Sequence, residues 1–164
     1  MHYSKYIVPF LAVGLVFFAY GTSGSQDVQN TNQVQGRLHD LALSVENGTI
    51  SKMEVLQMPS DILTRTRNMP EMLEKQFHHK LMFQLVRGSS PLVKLTKAAK
   101  SASANPQAEA ADLRSAILFY SDEGKRIGAI CFNARGTRGY VDDTSVSFTG
   151  GLFPWVEGTF SNWL

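Results

Sequence analysis

The last third of the chain contains four short runs of β-forming residues joined by tight turns. The runs occupy residues 113–120, 125–132, 138–141 and 145–148, and glycine or aspartate stands in each connection. Short connections require neighbouring strands to be antiparallel, because a parallel pair needs a crossover of about a dozen residues or more. The sequence therefore predicts a four-stranded antiparallel meander in this region.

Two helices are predicted before the meander. Pro70 follows a potential capping residue, Asn68, and begins a helix of two to three turns. Residues 91–102 have the clearest amphipathic pattern, because apolar side chains occupy one arc of the helical wheel and lysines occupy the opposite arc. This second helix is expected to pack its apolar arc against the core.

The remaining segments are assigned from alternation and from turn residues. Residues 38–45 alternate between apolar and polar, which predicts a strand joined by an Asn-Gly turn to a second strand at 52–58. Residues 80–87 carry apolar side chains on both sides and are typical of a strand buried on both faces. Residues 103–110 are predicted to form a loop, since they contain an Asn-Pro step.

These elements together predict an α+β domain with two layers. An antiparallel sheet with a C-terminal β-meander would form one layer, and two helices packed on one face would form the other. A length of 164 residues allows one domain, which we place at 34–164. The aromatic tail, residues 152–164, is expected to form a short helix or an irregular lid over the sheet.

The N-terminus has the features of a secretory signal peptide. Residues 7–19 contain no charged or polar side chain and follow Lys5. This run lies within the roughly 7–15 residues of a signal-peptide core and is shorter than the about 20 that span a bilayer. Ala19 and Gly21 provide the small side chains expected before a cleavage site at Thr22. Residues 1–21 are therefore predicted to direct export.

Export would place the protein in the periplasm or outside the cell. The polar segment 22–33 is then expected to be a flexible spacer. The alternative is an uncleaved anchor formed by residues 7–20, which would be the protein's contact with the membrane. Nucleic acid is not an expected partner, because 16 basic and 14 acidic side chains leave only a small positive excess.

The sequence contains few residues with the spacing of a catalytic or metal site. It has no nucleophile elbow, Walker loop or zinc-protease motif. Glu74 lies four residues before His78, and His79 is adjacent. A metal site would need a third ligand, which His39 or a distant carboxylate could provide. An acid–imidazole pair at a helix end explains the same spacing without a metal. No cofactor or metal is predicted, and Cys131 is expected to be a buried, inert thiol.

Three groups of residues are candidates for binding. The first is the basic face of the helix at 91–102, with Lys94, Lys97 and Lys100. The second is an arginine pair, Arg135 and Arg138, in a loop that contains glycine. The third consists of the tail tryptophans Trp155 and Trp163. Exposed cations attract anionic partners, and exposed aromatic side chains are enriched at protein interfaces.

These observations favour a non-catalytic binding module that acts outside the cytoplasm. Its partner would be a protein or an anionic envelope component, as for an inhibitor or an immunity-type factor. One alternative is a small hydrolase or metal-dependent enzyme that uses His78 or His79 with Glu74. A second alternative is a structural or assembly factor of the cell envelope, which would favour a retained N-terminal anchor.

Processing of the N-terminus provides a direct test of export. Mass spectrometry of the protein from its native host should show the loss of about the first 21 residues, because the small side chains precede that position. A full-length protein in the cytoplasm would contradict export. A full-length protein in the membrane fraction would instead support the anchor.

Overall fold

The computed structural model describes residues 23–161, with side chains from residue 28 onward. The predicted signal peptide and Trp163 therefore lie outside the described residues. The elements in chain order are α1 (Ser23–Glu46), β1 (Lys52–Gln57), α2 (Pro70–Gln76), β2 (His79–Gln84), α3 (Ser90–Lys100), β3 (Ser103–Pro106), β4 (Leu113–Tyr120), β5 (Arg126–Asn133), β6 (Arg138–Val141), β7 (Thr144–Thr149) and α4 (Leu152–Ser161).

The strands form one antiparallel sheet with the order β2-β1-β4-β5-β6-β7-β3. The predicted meander is its second half, where β4 to β7 are neighbours in chain order. The α+β fold class is therefore confirmed. Residues 103–106 were expected in a loop but pair with β7 as the edge strand β3. Pro106 is compatible with this position, because it stands at the end of an edge strand.

Helices cover both faces of the sheet. Along β4, Ile117 and Phe119 belong to the core beneath α1, α3 and α4, whereas Ala116 and Leu118 belong to the core beneath α2. Leu73 is the fully buried residue by which α2 packs on this second face. The two predicted helices, α2 and α3, thus lie on opposite faces, and α1 and α4 join α3.

The first helix replaces the predicted strand at 38–45. Buried side chains recur along α1 with helical spacing, at Val34, Leu38, Leu41, Ala42 and Val45. A strand would have buried the residue at position 43 and exposed the one at 42, but the former is 40% exposed and Ala42 is 2% exposed. Residues 23–33, expected to be a flexible spacer, also belong to this helix.

The Asn-Gly pair ends α1 instead of forming a hairpin turn. Gly48 has a φ of +85°, and the backbone N–H of Ile50 donates to the carbonyl of Ser44. Both features are typical of a helix C-terminus, where glycine readily adopts a positive φ. The same dipeptide is common in hairpins, so local sequence alone did not distinguish the two structures.

Two further boundaries differ from the sequence prediction. Strand β2 lies at an edge of the sheet and is not buried on both faces, since Met82 is 63% exposed. Met69 occupies the N-cap position of α2 and makes no capping hydrogen bond with its side chain. Asn68 is buried instead, and its side-chain amide donates to Met58 Sδ and to the carbonyl of Leu113.

Helix α1 also covers the outer edge of β3. The side chain of Gln35 accepts a hydrogen bond from the backbone N–H of Ala104 at 3.0 Å and donates to the carbonyl of Ala102 at 3.3 Å. An uncovered strand edge is a template for unwanted pairing with another chain. Gln35 therefore protects this end of the sheet.

Within residues 23–161, no helix combines the length and the apolar character needed to cross a bilayer.

The orientation of α3 can be tested by two truncations on the same helix. Leu95 is 1% exposed, so Leu95→Ala should lower the free energy of unfolding by about 2–5 kcal/mol through the cavity that it leaves. Val93 is 56% exposed, and Val93→Ala should change the free energy of unfolding by less than about 0.5 kcal/mol. Urea unfolding of both variants measures the difference, and similar losses would contradict the orientation.

Candidate functional site

Helix α3 is the element that positions the cations predicted from the sequence. Its buried side chains include Leu92, Leu95 and Ala99, which pack into the core shared with α1. The intervening positions must face outward, because a helix with one buried stripe exposes the opposite side. Lys97 and Lys100 lie in the last turn of α3, where positive charge is also favoured by the helix dipole.

A cavity of about 720 Å³ lies between α3 and the C-terminal end of α1. This volume is within the roughly 300–1,000 Å³ of small-molecule sites. We call it the basic cavity, and the residues of its wall that matter here are Glu46, Arg87, Leu92, Val93, Thr96, Lys97 and Lys100.

Positive charge predominates around the basic cavity. Glu46 pairs with Lys100 at 2.6 Å between Oε1 and Nζ. Across the part of the chain that the structure describes, Arg87 and Lys97 form no ion pair. Two cationic side chains at the rim are therefore available to an anion, and a third is held by a displaceable carboxylate.

The floor of the basic cavity is mainly apolar. Leu92 and Val93 contribute apolar surface. The hydroxyl of Thr96 is buried and has no hydrogen-bond partner among the described residues. Thr96 also borders the apolar core that Leu38 and Leu95 form, and its hydroxyl is not accessible from the basic cavity.

The basic cavity includes only some of the residues predicted as a binding face. Lys97 and Lys100 line it, whereas Lys94 is exposed on α3 and does not. Arg87 completes the group but was not singled out from the sequence. Its signal would have been its place three residues before α3, within a region of basic excess, but the sequence does not show that its side chain lies beside Lys97.

The other candidate binding residues lie elsewhere. Arg135 lines a separate cavity of about 520 Å³ beside Phe153. Arg138 forms an exposed ion pair with Glu109. Trp155 is partly buried against the core below α4. The structure therefore does not unite these residues with the lysines of α3.

The structure does not bring Glu74 and His78 together as the sequence predicted. Helix α2 ends at Gln76, and Phe77 has an extended backbone, so Glu74 and His78 do not share a helix face as expected. Glu74 pairs instead with Arg126, at 2.7 Å between Oε1 and Nη1. Considering residues 23–161 alone, no group of three or more histidine, cysteine, aspartate or glutamate side chains could hold a metal ion.

Cys131 is buried in the core beneath α2, as expected. Burial raises the pKa of its thiol to about 12, with a smaller contribution from the negative charge of Glu74. The thiol is therefore neutral at physiological pH and is a poor nucleophile.

Glu54 is the centre of a charged cluster on the second face of the sheet. Its carboxylate lies 2.9 Å from Lys52 Nζ and 3.5 Å from Lys80 Nζ, and it accepts a hydrogen bond from the hydroxyl of Tyr120. Burial acts to raise the pKa of Glu54, but the hydrogen bond from Lys52 and the charge of Lys80 outweigh it. The pKa of Glu54 is therefore below its usual 4.5. Both lysines pair with this one carboxylate, so we interpret the cluster as a stabilising contact between β1, β2 and β4.

No protein-family model, curated protein or solved structure matches this chain.

The charge of Glu54 should make stability depend on pH. A carboxyl group with a lowered pKa stabilises the folded state above its unfolded pKa, and this contribution is lost as the pH falls through the folded value. Glu54→Gln should therefore lower the free energy of unfolding by about 1 kcal/mol at pH 7, and the difference from the wild type should shrink below about pH 4. Urea unfolding at several pH values measures this trend. The exposed Glu71→Gln is the control, and a difference that stays constant down to pH 3 would contradict the role of the charge.

Proposed function

We propose that the protein is a non-catalytic binding domain that acts outside the cytoplasm and engages an anionic partner through the basic cavity. The observation that carries this proposal is the convergence of Arg87, Lys97 and Lys100 around an apolar floor. Placement outside the cytoplasm rests on the predicted signal peptide. The partner is a protein or an envelope component that presents a carboxylate or phosphate group beside an apolar group.

The chemistry of the basic cavity supports this class of partner. Guanidinium and ammonium groups supply hydrogen-bond donors and no acceptors, so they suit carboxylate and phosphate oxygens. Leu92 and Val93 add favourable burial of apolar surface at roughly 25 cal/mol per Å². A ligand with an anionic group beside an apolar group can contact both the cations and the apolar side chains of the wall. An inorganic anion can contact only the cations.

Glu46 competes with the partner for Lys100. The pair is partly exposed, with 40% of the Glu46 side chain and 47% of the Lys100 side chain accessible. Ion pairs of this kind contribute about 0–1 kcal/mol, so an incoming anion can displace the carboxylate at little cost. Glu46 therefore reduces the attraction of the basic cavity for anions.

The enzymatic alternative lacks a comparable arrangement. His78 is exposed and separated from Glu74 by the end of α2, and Glu74 is paired with Arg126. The envelope-assembly alternative would favour a retained anchor at residues 7–20, which lie outside the described residues. We therefore base the proposed binding role on the basic cavity.

Substitutions on α3 and α1 test the basic cavity with decanoate as the probe. Lys97→Gln should weaken decanoate binding by about three- to tenfold, because one charge-assisted contact is lost. Glu46→Gln should strengthen it, because Lys100 is released. Chemical-shift perturbation of the α3 amides in NMR titrations measures both affinities, and raising the salt concentration should weaken binding.

Lys94→Gln is the matched control, since Lys94 lies on the same helix but not in the cavity. Acetate and decanol test the two parts of the ligand separately, and each should bind more weakly than decanoate. Equal effects of Lys94→Gln and Lys97→Gln would contradict the proposed site. Capture from an envelope fraction with the wild type and Lys97→Gln then shows whether the retained partner is a protein or a polymer.

A further inference from the structure

A second cavity, of about 640 Å³, lies on the opposite part of α1 from the basic cavity. It is bounded by the middle of α1, by the end of β3 and by the turn between β6 and β7. We call it the amide-lined cavity, and the polar side chains of its wall that matter here are Asn30, Gln33, Arg37, Asp40, Asp142 and Thr144.

One wall of the amide-lined cavity is held rigidly. Arg37 donates from Nε to Asp142 Oδ2 at 2.7 Å and from Nη2 to the carbonyl of Ile127 at 2.5 Å. The other carboxylate oxygen of Asp142 accepts from the backbone N–H of Ala129 at 2.8 Å. Asp142 itself has a φ of +49°, a conformation that this network maintains. The charges of Arg37 and Asp142 neutralise each other.

Asp40 is the remaining charge of the amide-lined cavity. It lies three residues after Arg37, hence on the same face of α1. Among residues 28–161 its carboxylate forms no ion pair. The amide oxygens of Asn30 and Gln33 and the hydroxyl of Thr144 provide further acceptors. The exposed carboxylate of Asp40 is complementary to an ammonium group, which has three donors and no acceptor. Gln33 and Asn30 lie about 10 Å and 15 Å from it along the helix axis, where they can meet other polar groups of the same ligand.

Gly36 leaves the backbone of α1 uncovered at the amide-lined cavity. A glycine in a helix interior is less favourable than alanine, and a Cβ at position 36 would meet no atom within 4 Å. Packing within the protein therefore does not require the glycine. Gly36 lines the amide-lined cavity, where the missing side chain leaves the helix backbone open to close approach.

We infer that the amide-lined cavity binds a small polar molecule that carries a positively charged amine. The ammonium group lies against Asp40, and the body of the molecule extends over Gly36 toward the amide side chains of Gln33 and Asn30. This site is separate from the basic cavity and takes ligands of the opposite charge, so it extends the proposed function and does not depend on it.

NMR titrations with ethanolamine, putrescine and glucosamine test the inference, with glucose as the uncharged counterpart of glucosamine. At least one of the three amines should shift the backbone amide signals of Gly36 and Thr144 in a saturable manner. Glucose should not. Absence of saturable shifts with all three amines would overturn the inference, and so would equal binding of glucose and glucosamine.

Two substitutions separate ligand binding from stability. Asp40→Asn should weaken amine binding by about tenfold, because a charge-assisted hydrogen bond becomes neutral. The control is Asp122→Asn, which changes an exposed aspartate in the turn between β4 and β5. Gly36→Ala should raise the melting temperature, through its higher helix propensity, and should weaken amine binding at the same time.

Gly158→Ala is the matched control for the glycine. A Cβ at position 158 also meets no atom within 4 Å, but Gly158 lies in α4 and not at this cavity. Gly158→Ala should raise the melting temperature and leave amine binding unchanged. Undiminished amine binding by Gly36→Ala would overturn the inference. Lys97→Gln should bind amines like the wild type, so failure here is distinguishable from failure of the basic cavity.

Discussion

The packing of α1 across one face of the sheet is the interaction on which the rest of the structure depends. Its apolar stripe, including Leu38 and Leu41, closes the core that α3 and α4 complete. Gln35 satisfies the backbone beside the edge strand β3, and Arg37 ties the helix to the turn after β6. A single helix therefore contributes apolar burial, protection of a sheet edge and a fixed charge network. All three contributions depend on how α1 is positioned against the sheet.

Both cavities follow from the placement of α1. Asp40 and Gly36 belong to the amide-lined cavity, and Glu46, at the end of the same helix, belongs to the basic cavity. A rigid helix fixes the distance between these positions at 1.5 Å of rise per residue. The two cavities differ in charge because different side chains lack an ion pair among the described residues: Asp40 of α1 at one cavity, and Arg87 and Lys97, before and within α3, at the other.

The success of the sequence prediction depended on whether a pattern was local. The meander and α3 were predicted because tight turns and a full apolar arc act within a few residues. The first helix was missed because its residues 41–45 also fit a period of two, and the polar positions before residue 34 hid the helical repeat. The edge strand β3 was missed because four residues with a proline carry too little signal, and only β7 and Gln35 make them a strand.

The sequence by itself determined the fold class, the antiparallel order of the meander, and the outward lysines of α3, since each follows from the periodicity of a neighbouring stretch. Tertiary structure decided which charges meet. Lys97 and Lys100 join Arg87 and Glu46, while Lys94, on the same helix, is left out. Asp40 lies beside a turn more than a hundred residues later in the chain. Such convergence depends on how separate elements pack, because the energy that brings them together comes from buried apolar surface and not from the charged groups themselves.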